Sequence, residues 1–312
     1  MHTHTNEPLY EQCIFDTECT LETASIVIVP IGYDGTASYG KGTRRGPEIV
    51  MKAIPQLDYV DPRFPEPAKF GVYVDRPIEF DAEAEANAIG QLIREKAATR
   101  AREILGRGQT PVILGGEHSV PQGQIEACAE HVGEIGLLQI DAHLDLRPAY
   151  EGYTYSHASV IRNIIEGCPA VTKVVQVGIR DYCPEEIEFA NSTNGRVRVY
   201  GDDELFTRHD DGLSWRQIWE EVVGLLPDNI YVTFDIDGLE PALCPGTGTP
   251  VPGGLTFNQA TALLQAVAHS GKRVVGADLV EVAPSPDGSE WDANVGARTL
   301  YKLCRAVAPS SR

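Results

Sequence analysis

Three short segments of the sequence carry acidic and imidazole side chains at a spacing that suits metal binding. The first is the run Asp141-Ala142-His143-Leu144-Asp145, which follows the apolar stretch Ile135–Ile140. Side chains alternate with a period of two along extended backbone, so Asp141, His143 and Asp145 would face the same way if that geometry continues past the stretch. Two carboxylates and one imidazole would then converge, and such a set suits a borderline or hard divalent metal.

Two further apolar stretches end in side chains of the same kinds. Tyr231–Phe234 leads into Asp235 and Asp237, and Val112–Leu114 leads through two glycines to His118. Four carboxylates packed together would repel one another, and two divalent metals would neutralise them. A lone pair of such aspartates is usually a turn, but three stretches that each end in ligands predict a metal site. Mn²⁺ suits these donors best, with Ni²⁺, Co²⁺, Fe²⁺ and Zn²⁺ as alternatives.

Two more residues suit a reaction at such a site. Glu281 ends the apolar stretch Lys272–Val280, where its carboxylate can accept paired hydrogen bonds from a planar guanidinium. An ordinary salt bridge is the alternative role. His157 precedes an apolar helical stretch and can shuttle protons near neutral pH, although a lone loop histidine is more often only solvated. Asp278, within the stretch before Glu281, is a candidate to support the ligands.

The elements that must position these residues alternate between strand-like and helix-like segments. Eight strand candidates are short and rich in β-branched residues: Ser25–Ile31, Phe70–Val74, Pro111–Leu114, Ile135–Ile140, Lys173–Val177, Arg196–Tyr200, Asn229–Phe234 and Lys272–Val280. Helix candidates are Glu48–Ile54, Glu83–Leu105, Trp215–Leu225, Asn258–His269 and Glu290–Val307. Alternating strands and helices predict an α/β fold, with a mostly parallel sheet and its site beyond the carboxyl ends of the strands.

Composition limits the classes of function. The 312 residues carry a formal net charge of -19, which disfavours nucleic acid and anionic membranes and favours a small cationic substrate, although solubility alone also explains acidity. No apolar run approaches the ~20 residues of a membrane span. The segment Met1–Glu7 lacks the pattern of a secretory signal. Seven cysteines without a CxxC pair predict reduced thiols and a cytoplasmic protein.

These residues resemble the ureohydrolase family of arginases and agmatinases over almost the whole chain. The matching motifs are Gly115-Gly116-Glu117-His118, Asp141-Ala142-His143-Leu144-Asp145, Phe234-Asp235-Ile236-Asp237-Gly238-Leu239-Glu240-Pro241, Pro245-Gly246-Thr247-Gly248-Thr249-Pro250, Gly253-Gly254-Leu255-Thr256 and Glu281-Val282-Ala283-Pro284. The resemblance implies a three-layer α/β/α fold around an eight-stranded parallel sheet. It also implies one domain over residues 1–312, with 1–22 as an N-terminal extension, and a homo-oligomer that is a trimer or hexamer.

The resemblance further implies two Mn²⁺ ions and a role for each site residue. One ion would be held by His118, Asp141, Asp145 and Asp235, and the other by Asp141, His143, Asp235 and Asp237. A hydroxide would attack the guanidinium carbon, and the tetrahedral product would collapse to urea and an amine. Asp145 would assist proton transfer, His157 would carry a proton to the leaving amine, and Glu281 would anchor the guanidinium. The family often has Asp where this chain has Glu117, which is not an expected ligand.

Agmatine is the substrate that the resemblance favours. Arginases have an Asp two residues after the Asp of an Arg-Asp pair, whereas Cys183 stands there after Arg180-Asp181. We expect Glu151, Tyr153 or Tyr155 to line the cationic far end of the substrate by charge and cation–π contact.

Other readings of the resemblance remain open. They are arginine, guanidinobutyrate, guanidinopropionate or guanidine as the substrate, a formimidoylglutamase, a non-catalytic homologue, and a metal-dependent deacetylase with a single Zn²⁺.

Overall fold

A computed structural model describes residues 9–64 and 70–308 of the chain. Its strands are β1 (Gln12–Cys13), β2 (Ile26–Ile31), β3 (Val72–Val74), β4 (Thr110–Gly115), β5 (Ile135–Ile140), β6 (Val171–Ile179), β7 (Val197–Gly201), β8 (Asn229–Asp235) and β9 (Arg273–Val280). Its α-helices are α1 (Gly46–Ala53), α2 (Ala86–Gly106), α3 (Gln122–Val132), α4 (Val160–Gly167), α5 (Pro184–Ser192), α6 (Asp202–Asp210), α7 (Trp215–Gly224), α8 (Phe257–His269) and α9 (Trp291–Val307). Short 3₁₀ turns span Thr43–Arg45, Ile54–Gln56, His157–Ser159 and Ile236–Gly238.

The strands form one sheet in the order β1-β3-β2-β4-β9-β8-β5-β6-β7. Every pairing from β3 to β7 is parallel, and β1 alone runs antiparallel, along the outer edge of β3. The eight predicted strands are all present, so the prediction of a mostly parallel α/β sheet is confirmed. The predicted number of eight was wrong by one, because the two-residue strand β1 is too short to leave a pattern in the sequence.

The sheet lies between two layers of helices. Successive side chains along each strand point to opposite faces, and apolar side chains occupy both faces. Along β4, Val112 and Leu114 enter one core, whereas Ile113 between them enters the other. Helices α1, α6, α7, α8 and α9 pack on the first face, and α2, α3, α4 and α5 pack on the second. Because both faces are buried, the strands are almost wholly apolar, as expected for parallel sheets.

Helices with a clear cap or apolar stripe were predicted well. Capping boxes begin two of them, Ser214 with Gln217 at the start of α7 and Thr256 with Gln259 at the start of α8. Helices α3, α5 and α6 were not predicted. Helix α3 begins without a side-chain cap and buries polar as well as apolar residues, whereas α6 buries only Leu205, so neither shows the usual stripe.

The prediction of reduced thiols was wrong for one pair of cysteines. Cys13 and Cys19 form a disulfide, because the turn between them brings their Cα atoms to 5.9 Å, within the range that such a bond requires. The other five cysteines are free. Within residues 9–64 and 70–308, no helix has the length and apolar character needed to cross a membrane. The segment Met1–Glu7, judged above for a secretory signal, lies outside the described residues.

Candidate metal centre

The candidate site residues come from four strands that are neighbours in the sheet. Strands β4, β9, β8 and β5 lie side by side and run parallel, so their carboxyl ends open at the same edge. His118 follows β4, Glu281 follows β9, Asp235 ends β8, and Asp141 follows β5. The topology therefore brings together residues that are far apart in the sequence.

The first group of ligands surrounds the imidazole of His118. Its Nδ1 atom lies 3.0 Å from Asp141 Oδ2, 3.1 Å from Asp145 Oδ2 and 3.3 Å from Asp235 Oδ2. All four side chains are buried. Three carboxylates thus converge on one nitrogen, which is the arrangement that the sequence predicted for one metal ion.

The second group shares Asp141 with the first. The Nδ1 atom of His143 lies 3.1 Å from Asp237 Oδ2 and 3.5 Å from Asp141 Oδ1. The ligand atoms of His118, Asp141 and Asp145 all lie within 4.8 Å of one another, as do those of Asp141, His143 and Asp237. Asp141 therefore turns one oxygen toward each imidazole. All six predicted ligands are in these two groups, Asp235 through its contact with His118.

The proton positions around His118 suit a metal ligand. Thr233 Oγ1 donates its only hydrogen to Asp278 Oδ1 at 2.8 Å, so it accepts the Nε2–H of His118 at 2.7 Å. In the neutral form that binds metals, the lone pair of Nδ1 would therefore face the carboxylates, and this buried atom has no hydrogen-bond partner in the described part of the chain. A cation at this position would satisfy both the lone pair and the carboxylates.

The electrostatics of the carboxylates point to the same conclusion. Burial and the charge of Asp141 raise the pKa of Asp145 to about 7. Burial and the charges of Asp237 and Asp141 raise the pKa of Asp235 well above its usual range. Burial opposes a charge on His118, but the surrounding carboxylates raise its pKa well above the ordinary value. The site therefore demands positive charge, which divalent ions would supply.

Glu281 is fixed close to the ligands in a strained backbone conformation. Its φ is 64°, and that of the ligand Asp145 is 54°, in the left-handed region that non-glycine residues rarely adopt. The Glu281 N–H donates to Gly116 O at 2.7 Å, and its Oε1 atom accepts the backbone N–H of His118 at 2.9 Å. Burial and the charge of Glu117 raise the pKa of Glu281 well above its usual range. The Oε2 atom accepts no hydrogen bond within the described residues.

His157 lies at the mouth of this site. It begins the 3₁₀ turn His157–Ser159 and lines a cavity of about 190 Å³ together with His143 and Asp145. Burial, helped by the positive charges of His143 and His118, lowers the pKa of His157 to about 4. The structure thus brings His157 to the ligands, as a proton shuttle requires, but its pKa lies below the neutral range on which the prediction from the sequence was based.

The comparisons with known proteins identify the family. Residues 24–305 match the model of the Arginase family. The chain belongs to the arginase family. It is 36% identical over 282 residues to N(1)-aminopropylagmatine ureohydrolase of Thermus thermophilus, covering 90% of this chain and 89% of that protein. It is 34% identical over 280 residues to agmatinase of Bacillus anthracis, covering 87% and 88%.

A solved structure shows the same fold. Proclavaminate amidino hydrolase from Streptomyces clavuligerus superposes with a TM-score of 0.79 and 25% identity, covering 96% of this chain and 99% of that one. The prediction of a ureohydrolase, a hydrolase that acts on amidino groups, is confirmed. The match also counts against a metal-dependent deacetylase.

The residues predicted to hold the substrate tail do not reach the cavity of this arginase-family site. Glu151 is exposed in a turn with a φ of 51°. Tyr153 pairs with the backbone of Tyr150, and Tyr155 packs against Gly90 of α2. Their role in binding the tail stays a prediction, and an unchanged agmatine KM in Glu151→Gln would overturn it for Glu151.

Other side chains line the mouth of the cavity instead. They are Ser38, Arg147, Tyr150, Asp181, Cys183, Glu186 and Thr249. Arg147 lies 3.7 Å from the Glu186 carboxylate and 4.6 Å from the centre of the Tyr150 ring. Asp181 and Cys183 follow β6 at the same edge of the sheet as the ligands, so the rule that located Asp141 could also have located them.

A chain of buried amides holds the shared ligand Asp141. The side-chain amide of Gln139 donates to Asp141 Oδ2 at 2.7 Å, and that of Gln176 donates to Gln139 Oε1 at 2.6 Å. Both glutamines are fully buried in neighbouring strands. Groups that orient a metal ligand in this way raise its affinity for the metal.

We expect Gln139→Met to weaken metal binding about 10- to 100-fold, because Asp141 loses its amide donor. Competition with a chromogenic chelator measures this affinity. Gln124→Met is the matched control, since Gln124 is also a buried glutamine but donates to Tyr231 and Ala277. Equal affinities in both variants would show that the amide does not orient Asp141.

Proposed function

We propose that this chain hydrolyses agmatine to putrescine and urea with two Mn²⁺ ions. The observation that carries the proposal is the position of Asp141, which turns one carboxylate oxygen toward His118 and the other toward His143. One ion would be held by His118, Asp141, Asp145 and Asp235, and the other by Asp141, His143, Asp235 and Asp237. Their oxygen and imidazole donors, without thiolate, fit Mn²⁺, with Ni²⁺, Co²⁺, Fe²⁺ and Zn²⁺ as alternatives.

The protein groups around the ligands would carry the remaining steps. Two divalent ions, when bound, lower the pKa of a shared water toward neutrality. Asp145 lies where it can accept a proton, and His157 would deliver one to the leaving amine. The water oxygen bonds to the guanidinium carbon, and the bond from that carbon to the tail nitrogen breaks. The products are urea and putrescine.

Glu281 would orient the guanidinium. One carboxylate oxygen is occupied by the backbone of His118. The other is free to accept a guanidinium N–H in a charge-assisted hydrogen bond. Because the residue is buried and its backbone strained, the carboxylate is held in place before the substrate arrives.

We expect Glu281→Gln to raise the KM for agmatine about 10-fold or more. Glutamine can keep its oxygen on the backbone N–H of His118, which turns its NH₂ group toward the guanidinium donors. A charge-assisted bond worth about 1.5–3 kcal/mol is then lost. Steady-state urea release measures the change. Glu221→Gln, which breaks a surface pair with Arg208, is the control and should leave KM unchanged. A KM unchanged in both variants would contradict the role of Glu281.

Agmatine is preferred to arginine because of the groups near the cavity. Cys183 lines it at the place where arginases have an Asp for the α-amino group, and a thiol is a poor acceptor for that charge. Agmatine lacks the α-carboxylate and presents a terminal amine instead. Glu151, Tyr153 and Tyr155 are proposed for that amine from the sequence, and Asp181 is a further acidic candidate because it lines the cavity.

A second candidate substrate is N¹-aminopropylagmatine. It is supported by the identity of 36% to the Thermus thermophilus protein that bears its name, which is similar to the 34% identity to the Bacillus anthracis agmatinase. Both substrates share the guanidino end and differ only in the length and charge of the tail.

Urea release from a panel of substrates tests the proposal. The Mn²⁺- and Ni²⁺-loaded protein would be given agmatine, N¹-aminopropylagmatine, arginine, 4-guanidinobutyrate, 3-guanidinopropionate and guanidine. The highest kcat/KM is expected with agmatine. A higher value with N¹-aminopropylagmatine would favour the second candidate. No urea from any of them would contradict both and favour a non-catalytic homologue.

We also propose a cytoplasmic homo-oligomer, a trimer or hexamer, with one domain over 1–312. The support for the oligomer and the single domain is the resemblance of the sequence to the family, and the support for the cytoplasm is the five free cysteines. Light scattering after size-exclusion chromatography would measure the mass, and a monomer near 34 kDa would contradict the proposal.

A further inference from the structure

Glu117 is a fully buried carboxylate beside the metal centre that none of the proposed roles uses. It precedes the ligand His118, but it is in neither group of ligands. Its Oε2 atom accepts the backbone N–H of Thr36 at 2.8 Å, and its Oε1 atom accepts the hydroxyls of Thr36 and Ser119, both at 2.6 Å. Three donors from two loops therefore fix the carboxylate, which is an unusually complete set for a residue without an assigned role.

Thr36 connects this carboxylate to His157. Thr36 is 2% exposed, and its hydroxyl hydrogen points to Glu117, so the oxygen acts as an acceptor toward other groups. The backbone N–H of His157 donates to this oxygen at 3.2 Å, and the Nδ1 atom of the imidazole lies 3.4 Å from it. Thr36 thus touches both the backbone and the ring of His157.

The imidazole also contacts two serines and a tyrosine. Its Nε2 atom lies 3.3 Å from Ser38 Oγ, and its Nδ1 atom lies 3.5 Å from Ser156 Oγ. The ring of Tyr150 meets it edge-on at 6.0 Å between ring centres. Ser38 lies only two residues from Thr36, so the same loop holds both nitrogens of the ring.

We propose that Glu117, acting through Thr36, positions the imidazole of His157 over the metal centre. The inference rests on the proposed role of His157 in the hydrolysis of a guanidino group. Glu117 and Thr36 are positioning residues, because they reach the reaction only through His157. Glu117 adjoins His118, so the same loop supplies a proposed metal ligand and supports the proton carrier. The positions of His118 and His157 are thereby fixed relative to each other.

The substitution Thr36→Val removes the hydroxyl that links Glu117 to His157. Valine has the shape of threonine but lacks the hydroxyl, so the bond to Glu117 Oε1 and the contact with His157 are lost together. Glu117 keeps two donors, the backbone N–H of residue 36 and the hydroxyl of Ser119, so it is not left unpaired. Thr36→Ser keeps the hydroxyl and is the conservative rescue. Thr299→Val, at an equally buried threonine of α9, controls for the loss of a buried hydroxyl.

The test compares kinetics in two backgrounds. In the otherwise native protein, we expect Thr36→Val to lower kcat about 10-fold or more with KM and metal content unchanged, because a misplaced proton carrier costs mainly the chemical step. Thr36→Ser and Thr299→Val should stay within about twofold of the native kcat. In a His157→Ala background, adding Thr36→Val should cause no further loss, because a residue that acts through His157 has nothing left to position.

Crystal structures of the variants give a readout that does not depend on the substrate. The imidazole should leave its position in Thr36→Val and keep it in Thr36→Ser. An unmoved imidazole in Thr36→Val, or an equal loss of kcat with and without His157, would overturn the inference. If agmatine yields no urea, the proposed substrate fails, whereas the crystal structures still decide the positioning role.

Discussion

Asp141→Asn is expected to abolish measurable urea release, with kcat reduced at least about a thousandfold. Asp141 turns an oxygen toward each imidazole, so an amide in its place removes an anionic donor from both groups at once. Loss of one preorganised electrostatic group commonly costs about 10²–10³ in kcat, and here two groups are affected. Urea release at saturating agmatine and added Mn²⁺ measures the loss, and elemental analysis measures the bound metal.

The control for this substitution is Asp61→Asn. Asp61 is also buried but lies outside the ligand groups, where it pairs with Lys302. Its variant should lose stability while the remaining folded protein keeps the native kcat. If Asp141→Asn retained more than about a tenth of the native kcat with two metal ions bound, the shared role of Asp141 would be contradicted.

Removal of the metals is expected to lower the melting temperature by about 5 °C or more. The ligand groups pack four buried carboxylates. Burial and the charge of Asp141 raise the pKa of Asp145 to about 7, so bound cations would stabilise the folded state. A ligand at about 100 times its Kd contributes about 2.7 kcal/mol, and each kcal/mol is worth about 2 °C in a chain of this size. Thermal unfolding with and without a chelator measures the shift.

Readdition of Mn²⁺ should restore the melting temperature, and Mg²⁺ at the same concentration should restore much less, because imidazole ligands suit Mn²⁺ better. Asp141→Asn provides an internal comparison. It should show a much smaller shift on chelation, since one carboxylate is gone and the cations are held less tightly. A native protein whose melting temperature does not respond to chelation would contradict the stabilising role of the metals.

The sequence was sufficient to identify the candidate ligands because three of them obey a simple rule. Asp141, Asp235 and His118 each follow an apolar parallel strand, and the carboxyl ends of parallel strands share one edge of the sheet. The period of two also pointed to His143 and Asp237, but the backbone past the strands is not extended: Asp237 lies in the 3₁₀ turn Ile236–Gly238, and Asp145 has a φ of 54°. The pattern of apolar residues therefore predicts the strand ends directly, and the side-chain directions beyond them only in part.

The residues that line the cavity beside the candidate ligands were harder to predict because they lie on irregular backbone. Glu151 has a positive φ, and the turn around it directs Tyr150 to the cavity and Tyr155 to helix α2. No periodic rule gives side-chain direction through such a turn. The contact of Thr36 with Glu117 joins loops 81 residues apart, and that distance leaves no local signal either.

Stoichiometric titration of the metal-stripped protein with Mn²⁺ tests the central claim most directly. The claim is that one buried site holds two ions, that Asp141 is a ligand of both, and that the two ions together support hydrolysis of a guanidino group. Calorimetry, with elemental analysis of the product, should give two Mn²⁺ per chain, and urea release from agmatine should require both. A single ion per chain at saturation, or full activity with one, would contradict the account.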